Sequence, residues 1–257
     1  MREFFGFGGY TREAEGYLSW QHIVFVTSFM VLMIALAVFF GRRNRYRDEK
    51  CKNMVLVVAA IMIDLFEITK IIICCIRSQD ASSILQDLPL FLCSIQLITI
   101  PLAAFTSGRM KEAALDFVLI FGILGAVLGT YFAGNNYGTY PVLSFDNTVS
   151  AITHSISGFS SLYIAISGMS SMKKKNVWIT CAILTVFCIA AYIANVTIPY
   201  NYMFLMAGDG TPYDIIYNIV GGNPVIYPLT VVALFFLYIV AFYFVYRLAS
   251  KKKAASK

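Results

Sequence analysis

Charge is what this sequence has least of. Of its 257 residues only 13% are charged, whereas 59% are hydrophobic and 15% aromatic. Soluble domains carry about a quarter charged residues and fewer than half apolar ones. With a mean hydropathy of +0.72, the chain has too little polar surface to coat a water-soluble globule. Histidine is scarcer still: His22 and His154 are the whole complement, so no histidine-based metal set is expected and no cofactor is implied. The six cysteines (51, 74, 75, 93, 181 and 188) have no zinc-type spacing, and most read as small apolar packing residues. A glycine-rich phosphate loop, Gly-x-Ser-x-Gly and His-Glu-x-x-His are absent too, as are internal repeats and linkers.

What the chain does have is long apolar runs. Seven of them, Trp20–Phe40, Met54–Ile76, Leu88–Phe105, Ala114–Phe132, Asn147–Met169, Val177–Pro199 and Pro224–Tyr246, are long enough to cross about 30 Å of hydrocarbon as helices. No water is present there to satisfy an open backbone, so an all-α polytopic bundle of seven transmembrane helices is predicted. The third run is the shortest, and its Pro89 and Pro101 are expected in a first and a last turn. The expected organisation is an extracytoplasmic head over 1–19, a transmembrane domain over 20–247 and a basic tail over 248–257. The head has no small-residue cleavage site, and Phe4, Phe5, Phe7 and Tyr10 read as interfacial anchors in the mature chain.

The net charge of +6 resolves into a topology. Sixteen Lys and Arg residues fall in loops one, three and five and the tail, against three in the head and even-numbered loops. The positive-inside rule then puts the amino terminus outside and the carboxyl terminus in the cytoplasm. This argues against nucleic acid as a partner. The Arg42–Arg47 and Lys251–Lys253 clusters flank spans, where anionic lipid headgroups are also within reach.

Ionisable residues inside the spans are the informative ones, because each costs a few kcal/mol at the helix centre. Asp64, Glu67 and Lys70 recur every three residues on the second predicted helix and share one face. They read either as an internally paired strip or as the lining of a polar cavity. The third predicted helix carries Cys93 and Gln96, the fifth His154 and the sixth Asn195, followed by Asn201 and Tyr202. Counted along helices of opposed direction, Glu67, Lys70, Cys93, His154 and Asn195 fall in one slab, about 3–10 Å outward of the midplane.

A cysteine beside a histidine is a nucleophile with a base, and a thiolate attacks an ester carbonyl to give an acyl-enzyme. Gln96, Asn195, Asn201 and Tyr202 are candidate donors to substrate or oxyanion. A membrane phospholipid reaches such a site sideways from the bilayer. The alternative is an ion- or proton-coupled carrier, or a seven-helix sensor, built on Asp64, Glu67 and Lys70 with no covalent chemistry. A retinal protein is excluded, since Pro224–Tyr246 contains no lysine for a Schiff base.

Leu88-Pro-Leu-Phe-Leu-Cys93, the histidine-bearing fifth helix and Asn201-Tyr-Met-Phe-Leu205 together resemble the YwaF-like bacterial integral membrane proteins. That family is similar to the animal transmembrane acyltransferases that remodel ether phospholipids. The resemblance spans roughly Met54–Met206. It implies seven helices in the cell membrane and acyl transfer through Cys93, with His154 as its partner. Most bacterial members have a histidine two residues before that cysteine, where this chain has Phe91.

Overall fold

Side-chain caps mark where several helices begin. A short α1 (Arg2–Phe5) precedes α2 (Trp20–Asn44), whose N-cap Ser19 accepts from the His22 amide. Asp48 caps α3 (Glu49–Ser78) through the Cys51 amide. After α4 (Gln96–Phe105), α5 (Gly108–Tyr131) and the short α6 (Gly134–Thr139), Ser144 caps α7 (Phe145–Ser167). Gly168 ends α7 in the left-handed region, at φ 75°, where a side chain is strained. The chain closes with α8 (Val177–Thr197), α9 (Tyr213–Ile219) and α10 (Ile226–Ala255). This computed structural model describes residues 2–170 and 172–255. The side chains of the basic tail, Lys251–Lys253 among them, lie outside the described residues, as does Met1 of the head.

Among the described residues five helices, α2, α5, α7, α8 and α10, are long and apolar enough to cross a membrane. At 30 residues α3 is long enough as well, but Asp64, Glu67 and Lys70 interrupt its apolar character. The third expected span takes another form: only Gln96–Phe105 is helical, and Pro101 sits inside that helix rather than at its last turn. The reason is local. The Leu90 amide bonds to Leu88 O around Pro89, and Ser94 Oγ accepts from the Phe91 amide at 3.0 Å, so turns replace the first helical turns. Cys93 therefore lies in a turn leading into α4.

Central α5 is enclosed by its neighbours. It packs most extensively on α7, while α2 and α3 cover other faces of α7 and α4 lies between α3 and α5. Tyr238 of α10 bonds to Ile120 O and Tyr243 to Asp116, tying α10 to α5. The outer faces are apolar: Val31, Leu32, Val186, Ile193, Leu237 and Phe244 are all exposed. Contiguous apolar surface on that scale needs lipid or protein against it.

Candidate functional site

Three glycines of α5 set the site. A side-chain carbon on Gly122 would meet Ser157 O of α7 at 2.7 Å, so the two helices touch at backbone distance. Ser157 and Ser161 donate to Gly122 O and Leu119 O, which tightens the same contact. One turn further on, Gly125 faces Cys93, whose Cβ lies 3.3 Å from where a Gly125 side chain would begin. After another turn, the His154 ring fills the space of a Gly129 side chain. Cys93 and His154 thus rest on successive turns of one glycine stripe, about 6 Å apart along the helix.

The Cys93 and His154 side chains are partners, and both are half-buried. His154 Nδ1 lies 2.7 Å from Ser150 O, a carbonyl that can only accept. Nδ1 therefore carries the proton, and in the neutral ring Nε2 holds the lone pair. Gln96 is fully buried; its carbonyl accepts from Thr99 at 3.2 Å, while its Nε2 has no partner among the described residues. A buried donor without an acceptor costs about 1–3 kcal/mol, and this one lies one turn from Cys93.

Two residues of the charged strip, Glu67 and Lys70, are paired. Lys70 Nζ lies 2.5 Å from Glu67 and 2.9 Å from Asp87, a residue of the segment leading to Cys93. Glu67 also lies within electrostatic reach of His154. Asp64 stands apart and lines a cavity of about 350 Å³ with Leu97, Ile98, Pro101 and Leu102.

Asn195, Asn201 and Tyr202 have other work than the expected contact with substrate or oxyanion. Asn195 clamps the Tyr202 backbone from both sides, accepting from its N–H at 2.7 Å and donating to its carbonyl at 3.0 Å. Asn201 bonds to Ala207 O, Asp209 and the Met206 amide, closing its own loop. Tyr202 donates to Leu85 O. Around it, Tyr200, Tyr202 and Phe204 surround Phe91, with ring centres 5.3–5.9 Å away. Two of the three sequence elements that carry the resemblance, Leu88–Cys93 and Asn201–Leu205, are thus in contact through Phe91.

Two further clusters escape a reading by span. On the amino-terminal end of α7, Asp146 accepts both arms of Arg77, at 2.6 and 2.8 Å, and the Tyr10 hydroxyl at 2.6 Å. Burial beside that carboxylate pushes the Tyr10 phenol above its usual range. Phe4 and Phe5 pack on Phe145, so the head binds the bundle. At the opposite end, Asp116 of α5 is bonded by Ser170, Asn176 and Tyr243. Hydropathy does not single out Asp87, Asp116 and Asp146, because each falls at the edge of an apolar run. The spacing of Gly122, Gly125 and Gly129 is the available signal for the helix contact.

No curated protein and no solved structure matches the chain. The model of the TMEM164 family matches residues 17–249, from the end of the head to the end of the last span. This multi-pass integral membrane protein belongs to the TMEM164 family.

Proposed function

We propose that this protein is a phospholipid acyltransferase of the cell membrane with Cys93 as nucleophile and His154 as base. The observation that carries the reading is the placement of Cys93 and His154 on successive turns of one glycine stripe, with the histidine's Nδ1 proton held by Ser150 O. His154 Nε2 takes the thiol proton as sulfur attacks an ester carbonyl of the donor lipid. The tetrahedral oxyanion is met by the unpartnered Gln96 amide. Its collapse breaks the ester C–O bond, and the departing lysolipid oxygen takes the proton back from His154. A thioester remains on Cys93. An acceptor hydroxyl, deprotonated by His154, then attacks that thioester and releases the thiol.

Asn195, Asn201 and Tyr202 act in this scheme as the scaffold that holds Phe91 and, through it, the cysteine turn. The same reading counts α3 and α4 with the five long helices as a seven-helix bundle, amino terminus outside, and keeps the resemblance to the YwaF-like proteins. The closure of Lys70 between Glu67 and Asp87 favours acyl transfer over a carrier, because the lysine is already engaged by two carboxylates.

The test is transfer of a labelled acyl chain from phospholipid to lysophospholipid by the purified protein in lipid nanodiscs. Cys93→Ala should abolish transfer and the hydroxylamine-sensitive acyl-enzyme. His154→Ala should slow transfer by about 10²–10⁴. Full turnover by both variants would end the proposal.

A further inference from the structure

Residues 199–225, which join α8 to α10, include two aspartates, Asp209 and Asp214, and no Lys or Arg. Within this segment α9 turns one face to the bundle. Tyr213 stacks on Phe204 with ring centres 5.7 Å apart, and Tyr217 packs edge-on against Tyr227 of α10 at 5.1 Å. Tyr227 is buried and donates to Phe204 O at 2.8 Å, so α9, the first turn of α10 and the Tyr202–Phe204 turn form one unit. Ile215 and Ile219 lie two residues to either side of Tyr217, about 200° round the helix, and share the opposite face. They are 65% and 78% exposed. Beyond the reversal at Gly221 and Gly222, Ile226 and Leu229 are exposed as well. Those two begin an exposed stripe that continues down α10 through Leu237, Val240 and Phe244.

We propose that α9 is an interfacial helix that seats Ile215 and Ile219 in the leaflet at the α8–α10 end of the bundle, among the upper acyl carbons of zwitterionic phospholipid. The occupant follows from continuity. α10 is long and apolar enough to cross a membrane, so its exposed stripe is a lipid-facing surface. Tyr217 and Tyr227 meet on the inner side, and the two isoleucines extend that stripe where the span begins. The lipid class follows from charge. Interfacial helices that bind anionic lipid carry Lys and Arg on their polar face, whereas the polar pair four residues apart on α9 is Asp214 and Asn218. Seven residues are too few to form a helix on a bilayer unaided, and here the rings of Tyr213 and Tyr217 hold α9 in place beforehand. The seat is independent of the chemistry at Cys93.

The experiment uses the full chain in phosphatidylcholine nanodiscs doped with a phosphatidylcholine that carries a diazirine near the carbonyl end of one acyl chain. Adducts are mapped by mass spectrometry and are expected on residues 213–219 as well as 226–229. Ile215→Ser with Ile219→Ser should lower those on 213–219 about tenfold or more, leaving 226–229 and the thermal midpoint unchanged. Adducts on 226–229 alone mean that the isoleucines face water, and they overturn the proposal. Undiminished labelling of 213–219 in the double variant does the same. If 213–219 takes no lipid and Ile219→Cys gives disulfide-linked dimers that the unsubstituted chain does not, the occupant is a second copy and the leaflet seat is wrong. The matching phosphatidylglycerol probe should label 213–219 no more strongly than the phosphatidylcholine one. Stronger labelling by the anionic lipid overturns the zwitterionic assignment.

Discussion

The imidazole of His154 occupies the space that a side chain on Gly129 would need. Only a glycine lets the α7 histidine lie against α5 at that level, and the Ser150 carbonyl then fixes which of its nitrogens is protonated. The base of the proposed pair is therefore held from both sides, by a missing side chain and by a backbone acceptor.

Gly129→Ala should displace the ring and cut acyl transfer by about 10² or more, the share of a positioned base. Gly138→Ala, where nothing lies within 4 Å, is the matched control and should leave transfer intact. Equal activity in both variants would show that the position of the His154 ring is immaterial.

Gln96→Leu separates catalysis from stability. Removing a buried donor that has no partner should leave the thermal midpoint unchanged or raise it. Losing an oxyanion donor should lower kcat by about 10²–10³. A variant that unfolds early yet keeps kcat would assign Gln96 to the scaffold.

Asn195→Leu should do the reverse. It strands the N–H and carbonyl of Tyr202, at a cost of about 1–3 kcal/mol for each buried group. A lower thermal midpoint in detergent is the expected readout, with KM and kcat of the surviving fraction little altered.

Arg77→Gln leaves the Asp146 carboxylate without its cation at the head of α7. Breaking one half of a largely buried pair costs about 3 kcal/mol. The double variant Arg77→Gln with Asp146→Asn should recover much of that loss, since no unpaired charge remains. Thermal unfolding of the single and double variants measures it. Release of the head, followed by proteolysis near Tyr10, should accompany the single variant alone.

Several of these residues are legible in the sequence alone. Cys93, His154 and Gln96 stand out because polar groups are rare in apolar runs, and the three-residue spacing of Glu67 and Lys70 announces their ion pair. Asp87, the second partner of Lys70, is not legible, because it is distant along the chain and sits in a loop. Asn195, Asn201 and Tyr202 carry the right chemistry for a site, yet their hydrogen bonds go to the loop that follows α8 and, for the Tyr202 hydroxyl, to Leu85 O.

The low charge content alone determines that this chain belongs in a bilayer, since apolar helices of that length have no other solvent. Which polar residues meet is decided only by tertiary structure. Hydropathy is a property of each segment, whereas the approach of α5 to α7 depends on glycines that leave no hydropathy signal. The turn before α4 likewise follows from Pro89 and Ser94 competing with helix formation inside a run apolar enough to span. Cys93 and His154 come together because backbones lacking side chains let two helices and a turn close to contact distance.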